Sequence, residues 1–340
     1  MRRGECGYGY ITPLRMKPVH TPAMKLISAF LGLVCVALVG TGVAARQAKP
    51  RQLPPPVPAG VAPKPDPKQP YVYRKMSDRL YIIAEIHQPY TIDEVTNPPH
   101  TQQMGLIIGT KRAAIIDTGL GLADLRKYVE QFTDLPVIAL STHGHLDHVG
   151  ANQLFDMAYV GKEDEQTMLS SNRAGRLRGY SGFMEGNTAM IEAATKTMVD
   201  DKPFKYGFVK DGDKIDLGGI EIEVIGFPGH TPGSVAYVER QHKVAFTGDS
   251  MLFRVLLSNR EKLAQWTASV KNFAAKTTDI TTIINGHQWE PFYRSDIDEE
   301  LALSDAIMQR KITGYSKVIL NSPRIIYTLG SKRIGLSDDK

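Results

Sequence analysis

A chain of 340 residues, 42% apolar and 23% charged, has enough material for one large or two medium soluble domains. Residues 1–45 hold five Lys/Arg against one Glu and so carry +4 of the formal charge of +5. The remainder is nearly neutral, without the overall positive field of a nucleic-acid-binding or polyphosphate-binding protein, and both cysteines, Cys6 and Cys35, fall in the N-terminal part, so no disulfide or thiolate is expected beyond it.

The run Leu26 to Ala45 carries no charge and follows Lys25. It is expected to be a signal peptide cleaved after Val43-Ala44-Ala45, giving a periplasmic or secreted protein, with Met24 a more conventional start than Met1. The rival is an uncleaved anchor, since twenty uncharged residues just span a bilayer. Residues 46–70 are rich in proline and read as an extended linker without a core of its own. Residues 71–340 are then one catalytic-sized domain.

Within it, 79–84 and 104–109 read as strands joined by a long irregular connection, His87 to Gln103, of the length that often forms a lid. His100 in that connection reads more readily as a solvated histidine than as a substrate contact. Ala113 to Ile116 is a buried strand ending in Asp117. Leu122, Leu125, Val129 and Phe132 then mark an amphipathic helix. The next apolar run, Pro136 to Leu140, ends in Ser-Thr-His143-Gly-His145-Leu-Asp147-His148, four potential metal ligands within six residues. Neutral imidazole is the commonest zinc ligand, and a strand end is a rigid base for it. His143 and His145 can reach one point, and Asp147 and His148 a second, so two adjacent metal ions are expected. Asp117 is not spaced as a ligand; it suits the carboxylate to which a ligating histidine donates its second ring N–H.

Residues 170–205 mix helix formers with glycines and aromatics and are expected to shape access to the site, with Tyr180 and Tyr206 as packing residues. Lys214 to Leu217 and the alternating Ile220 to Ile225 form a strand pair with one solvated face. His230 follows on a stiff Gly/Pro turn. Strands 234–238 and 243–247 come next, the second ending in Gly248-Asp249. Ser258 to Glu261 has a capping-box pattern before a helix with its apolar stripe at Leu263, Trp266, Val270 and Phe273. Strand 280–284 ends in Gly286-His287. A C-terminal helix from Ser295 to about Ile312 and an edge strand, 324–329 behind Pro323, complete the chain. Strand, turn and ligand thus recur four times, which gathers distant residues on one sheet rim. Arg254, Asn259 and Tyr293 lie near these strands and are expected on the solvated surface.

His-x-His-x-Asp-His at 143–148, Gly-His-Thr-Pro-Gly at 229–233, Gly-Asp at 248–249 and Gly-His at 286–287 resemble the metallo-β-lactamase superfamily over residues 79–290. The resemblance implies an α+β fold, a four-layered αββα sandwich with metals at one sheet edge. It places His143, His145 and His230 on a first zinc and Asp147, His148 and His287 on a second, with Asp249 bridging. Iron or manganese would also suit these donors. It further implies attack by a metal-bridging hydroxide, with Asp147 as the catalytic residue that orients the nucleophile and accepts its proton.

β-Lactamases of the superfamily commonly carry Cys or Ser where Asp249 stands. The expectation is therefore an exported dinuclear zinc hydrolase of small-molecule esters or lactones. A β-lactam hydrolase, a glyoxalase II-type thioesterase and a non-catalytic metal-binding module follow in that order. The expected partner is a small-molecule substrate, with no nucleic acid and no membrane unless the N-terminal segment is retained; no oligomeric state is implied.

Overall fold

The continuous apolar runs of the first half of the chain pair into one sheet. The computed structural model describes residues 53–58, 61, 63–87, 101–184, 187–319 and 322–338. The signal-peptide and anchor readings, residues 46–52 of the linker, and His100 lie outside them. The first sheet runs in the order β1 (Tyr71–Lys75), β2 (Leu80–Ile86), β3 (Thr101–Ile108), β4 (Ala113–Ile116), β5 (Val137–Leu140), β6 (Ala158–Gly161), β7 (Tyr206–Val209). β1 to β4 are antiparallel neighbours and β4 to β7 parallel ones. β4 and β5 are buried throughout, as parallel strands covered on both faces must be.

The second sheet begins with a meander, β8 (Lys214–Asp216), β9 (Glu221–Gly226), β10 (Val235–Glu239) and β11 (Val244–Gly248). β12 (Arg254–Leu257) leaves it, and β13 (Thr282–Asn285) returns to lie parallel to β11. β12 joins β14 (Tyr315–Ile319), β15 (Ser322–Leu329) and β16 (Lys332–Leu336) in a third sheet ordered β12-β16-β15-β14.

The first two sheets face each other across Ile82, Ile116 and Leu140 on one side and Val224, Tyr237 and Phe246 on the other. Outside the first sheet, α1 (Leu125–Val129) and Phe132 cover Tyr71, Tyr81 and Ile83. Between β6 and β7 the chain inserts α2 (Glu165–Ser170), whose Met168 packs on Val149 and Val160, and α3 (Arg173–Phe183) and α4 (Thr188–Thr197), which pack on Leu120 and Leu122. Outside the second sheet lie α5 (Arg260–Lys276) and α6 (Arg294–Met308), with Leu263, Trp266, Val270 and Phe273 all buried as their helical spacing requires. The layer order is αββα, with the third sheet added to it.

Four details differ from the sequence reading. β15 is an interior strand, paired on both sides, because β14 and β16 flank it; Pro323 is tolerated near its first residue, opposite Val318. α5 is capped by Asn259, whose side chain accepts from Lys262 N at 2.9 Å, so the cap falls one residue later than Ser258. Thr101 to Gln103 belong to β3, not to the irregular connection. In the proline-rich stretch, Val57 N donates to Tyr73 O and Tyr73 Oη to Pro54 O, so this part lies along β1. Among the described residues no helix is long and apolar enough to cross a membrane.

Candidate metal centre

Every candidate ligand leaves from the carboxyl end of a strand. β4 and β5 are parallel with Ile116 opposite Leu140, so Asp117 stands beside the segment that carries His143 to His148. β11 and β13 are parallel with Gly248 opposite Asn285, which sets Asp249 beside His287. The turn after β9 carries His230 to the same rim.

The structure brings together all seven residues that the sequence singled out as ligands. Their donor atoms form three overlapping groups, His143/His145/His230, His143/His148/Asp249 and Asp147/His148/His287, each with all donors within 4.8 Å of one another. His145 Nδ1 lies 3.0 Å from both His143 Nε2 and His230 Nε2. Asp249 reaches both halves: Oδ1 is 3.3 Å from His148 Nε2, Oδ2 is 3.6 Å from His230 Nε2, and His287 Nε2 is 3.1 Å from the carboxylate. His287 Nε2 and His148 Nε2 lie 3.7 and 3.9 Å from Asp147 Oδ2.

The outward ring nitrogens fix which inward ones are available. Carbonyls and carboxylates only accept, so His148 Nδ1 donates to Asp117 Oδ2 (2.9 Å), His230 Nδ1 to Leu256 O (3.1 Å) and His287 Nδ1 to Thr101 O (2.9 Å). Thr142 Oγ1 donates to Asp117 Oδ2 at 2.8 Å and so accepts from His143 Nδ1 at 3.1 Å. Four Nε2 lone pairs are thereby turned inward, the arrangement that metal-ligating histidines require. Among the described residues, the buried atoms His148 Nε2 and Asp249 Oδ1 have no hydrogen-bond partner. Buried polar atoms are normally satisfied, and a cation between them would satisfy both. The donor set therefore fits a metal site.

The electrostatics of the two halves differ. Burial, followed by the charges of His148 and His145, holds His143 well below the ordinary imidazole range; burial and His145 take His230 down to about 4. At His148, burial works against the charge, but Asp249, Asp117 and Asp147 outweigh it and raise the ring well above its usual value. Burial likewise opposes charge at His287, where Asp249 and Asp147 prevail. Asp249 is held well below the carboxylate range, its burial overcome by His287 and His148.

Asp117 is 3% exposed, at φ 58°, and Thr142 N donates to its Oδ1 at 2.7 Å. Asparagine tolerates this backbone region, so Asp117→Asn is expected to fold and to weaken metal binding about 10–100-fold by loosening His148 and Thr142. Competition titration against a chromogenic chelator measures this, and wild-type affinity would refute the role.

Sequence reasoning missed two groups. Gln102 Nε2 donates to Asp147 Oδ2 at 2.8 Å, and the Asp164 carboxylate accepts from Gly144 N, Thr231 Oγ1 and Gly233 N. Gln102 lay hidden in a segment read as loop, and Asp164 ends a single 3₁₀ turn, Lys162–Asp164, just before α2, with no motif of its own.

A cavity of 540 Å³ opens on the centre, lined by His145, Asp147, His230, Asp249 and His287, within the usual range for a small-molecule site. Gly175 and Gly179 of α3 form part of its wall, as expected of residues 170–205. Tyr180 is buried beneath them and Tyr206 Oη donates to Glu165. Arg254, expected on the solvated surface, lines the cavity. Asn259 caps α5, and Tyr293, 54% exposed, precedes α6.

Two facing sheets between helices, with histidine and aspartate donors at one rim, define a protein of the metallo-β-lactamase fold. The chain belongs to the metallo-beta-lactamase superfamily, whose family model matches residues 97–301. It is 28% identical over 202 residues to the acyl-coenzyme A thioesterase MBLAC2 of Homo sapiens, covering 53% of this chain and 66% of the relative. It is 32% identical over 143 residues to the hydroxyacylglutathione hydrolase GloC of Haemophilus influenzae, covering 41% and 61%. The matches thus span slightly under two thirds of these relatives. A crystal structure of a beta-lactamase domain protein from Burkholderia ambifaria, 20% identical, shares the fold with a TM-score of 0.51, covering 70% of this chain and 78% of that one.

Proposed function

We propose that the protein is a dinuclear metal-dependent hydrolase of small-molecule acyl esters, with thioesters ahead of lactones. The observation that carries this is the position of Asp249, within 3.6 Å of imidazoles from both halves of the centre. Zinc suits the nitrogen and oxygen donors, with iron or manganese as alternatives. His143, His145 and His230 would hold one ion, Asp147, His148 and His287 the other, and Asp249 both. Bound there, the ions would supply Lewis acidity and a water acidic enough to ionise near neutral pH. Asp147, oriented by Gln102, faces the cavity and is placed to take the proton of the attacking water. Leu146, Leu252, Phe253, Leu256 and Ile319 give the cavity an apolar wall for an acyl chain.

Thioesters stood behind lactones in the sequence reading because the expected export argues against the glutathione thioesters that glyoxalase II usually hydrolyses inside cells. That argument rests on residues 26–45 and touches no group in the cavity, whereas both relatives are named for acyl groups carried on thiols. The test is hydrolysis of an acyl thioester, a lactone and a chromogenic cephalosporin by the purified chain, with and without chelator. Thioester turnover abolished by chelation and restored by zinc is the expected result. Metal-loaded protein inert on all three would indicate a binding module, and dominant cephalosporin cleavage a lactamase.

A further inference from the structure

The near-neutral charge of residues 46–340 conceals a local excess. Arg254 of β12 is paired directly with Arg333 of β16, and Arg333 with Thr328 of β15. Arg324, four residues before Thr328 on the same strand, shares its face. All three arginines line the cavity that holds the metal centre. Lys317 stands directly opposite Arg324 on β14, which makes a fourth positive charge on this face.

Like charges directly opposed in a sheet are destabilising. Among the described residues, none of the three arginines has a carboxylate within ion-pair distance. Arg324 Nη1 and Arg333 Nη1 each donate to a backbone carbonyl, Leu257 O and Ser331 O, while the Nε of both is buried with no hydrogen-bond partner. Burial, then the charges of Arg333 and Arg324, disfavour the cationic form of Arg254, yet a guanidinium does not deprotonate in a protein.

We propose that Arg254, Arg324 and Arg333 form a subsite for a polyanionic, phosphate-bearing leaving group of the ester substrate. The proposal rests on the acyl-ester reading above and names the part of the substrate that reading leaves open. Planar guanidinium forks match phosphate oxygens, and this density of positive charge suits several phosphate charges better than one carboxylate. The arginines hold the leaving group and take no part in making or breaking bonds; the acyl wall and the metal donors occupy the rest of the cavity.

The test compares acetyl-coenzyme A with the acetyl thioester of N-acetylcysteamine, which keeps the same scissile bond and lacks every phosphate. Arg324→Gln and Arg333→Gln are each expected to raise KM for acetyl-coenzyme A at least about tenfold, with kcat and the truncated ester little changed, and Arg333→Lys to recover part of the loss. Adenosine 3′,5′-bisphosphate should inhibit the wild type competitively, more weakly at high salt, and the Gln variants much less. Equal losses on both thioesters, or no inhibition by the bisphosphate, would overturn the subsite. A glutathione thioester preferred over acetyl-coenzyme A with the same arginine dependence would overturn the phosphate assignment in favour of a carboxylate. If no thioester is turned over, calorimetry separates the two ideas: bisphosphate binding lost in the Gln variants keeps the subsite and sinks the thioesterase reading, and absence of binding sinks the subsite. Thermal melts and metal content confirm that the variants are folded and loaded.

Discussion

Asp249→Ala is expected to reduce kcat/KM by about 10³-fold or more and to lower metal content from two ions to at most one per chain. The magnitude follows from what the carboxylate does. Metal-assisted charge stabilisation is worth several kcal/mol in the transition state, and each ~1.4 kcal/mol is a factor of ten in rate. Asp249 is the residue whose two oxygens approach His148 on one side and His230 on the other, so its loss uncouples the halves of the centre. It also removes the negative charge that, more than any other neighbouring group, raises His148 and His287 above the ordinary imidazole value against the opposing effect of burial. Elemental analysis of the purified variant together with turnover on the thioester reads both effects. Two tightly held ions with full activity would show that Asp249 neither bridges nor ligates. Asp249→Cys, which restores a donor of different reach, is expected to recover metal before it recovers rate.

The ligand set was legible because its signal is local and repeated. A strand of four or five apolar residues, then a Gly-containing turn, then a donor, needs no tertiary knowledge, and the parallel pairings β4–β5 and β11–β13 place such strand ends side by side. Asp117 was legible for a related reason: it ends the strand next to the one that carries the histidines. What was not legible depends on contacts between segments far apart in the chain. Gln102 lies at the start of β3, whose first residues pair with Ile86 to Ala84 of β2 and bond to the His287 turn through Thr101 and Gln103; without those partners Thr-Gln-Gln reads as polar loop. β14 and β16 are short and carry charged residues, Lys317 in one and Lys332 and Arg333 in the other, so neither read as a strand, and Pro323 suggested an edge for β15. The arginine face was hidden by averaging, because net charge over the domain says nothing of three guanidinium groups that a sheet assembles from β12, β15 and β16. Asn259 took the cap from Ser258 because its side chain reaches Lys262 N, a one-residue choice that both residue types permit.

Asp164→Ala is expected to destabilise the protein by about 3–5 kcal/mol and to weaken binding at the His143/His145/His230 site as a consequence. Asp164 is 1% exposed, and its carboxylate ties the turn that carries His143 and His145 to the turn that carries His230. Oδ2 accepts from Gly144 N at 2.9 Å, between the histidines of the first cluster, and from Thr231 Oγ1 at 2.6 Å, next to His230; Oδ1 accepts from Gly233 N at 2.9 Å. Truncation leaves three buried donors, each costing about 1–3 kcal/mol when unsatisfied, with some relief as Thr231 keeps its bond to Ser234. For a chain of this size the melting temperature should fall by about 10 °C. The glycines of the two turns belong to the same device. A Cβ at Gly144 would stand 2.7 Å from Asp164 O, and one at Gly233 2.7 Å from Asp164 N, so both turns approach the aspartate more closely than any side chain permits. Asp164→Asn keeps one acceptor oxygen and turns an NH₂ toward a donor, so it should lie between wild type and alanine in both stability and metal affinity. Calorimetric unfolding of the metal-free and metal-loaded forms distinguishes the roles: a loss confined to the loaded form would mean that Asp164 acts on the metals directly, whereas a loss already present in the metal-free form, and enlarged in the loaded one by the weaker binding, is the result expected of a carboxylate that sets the positions of His143, His145 and His230.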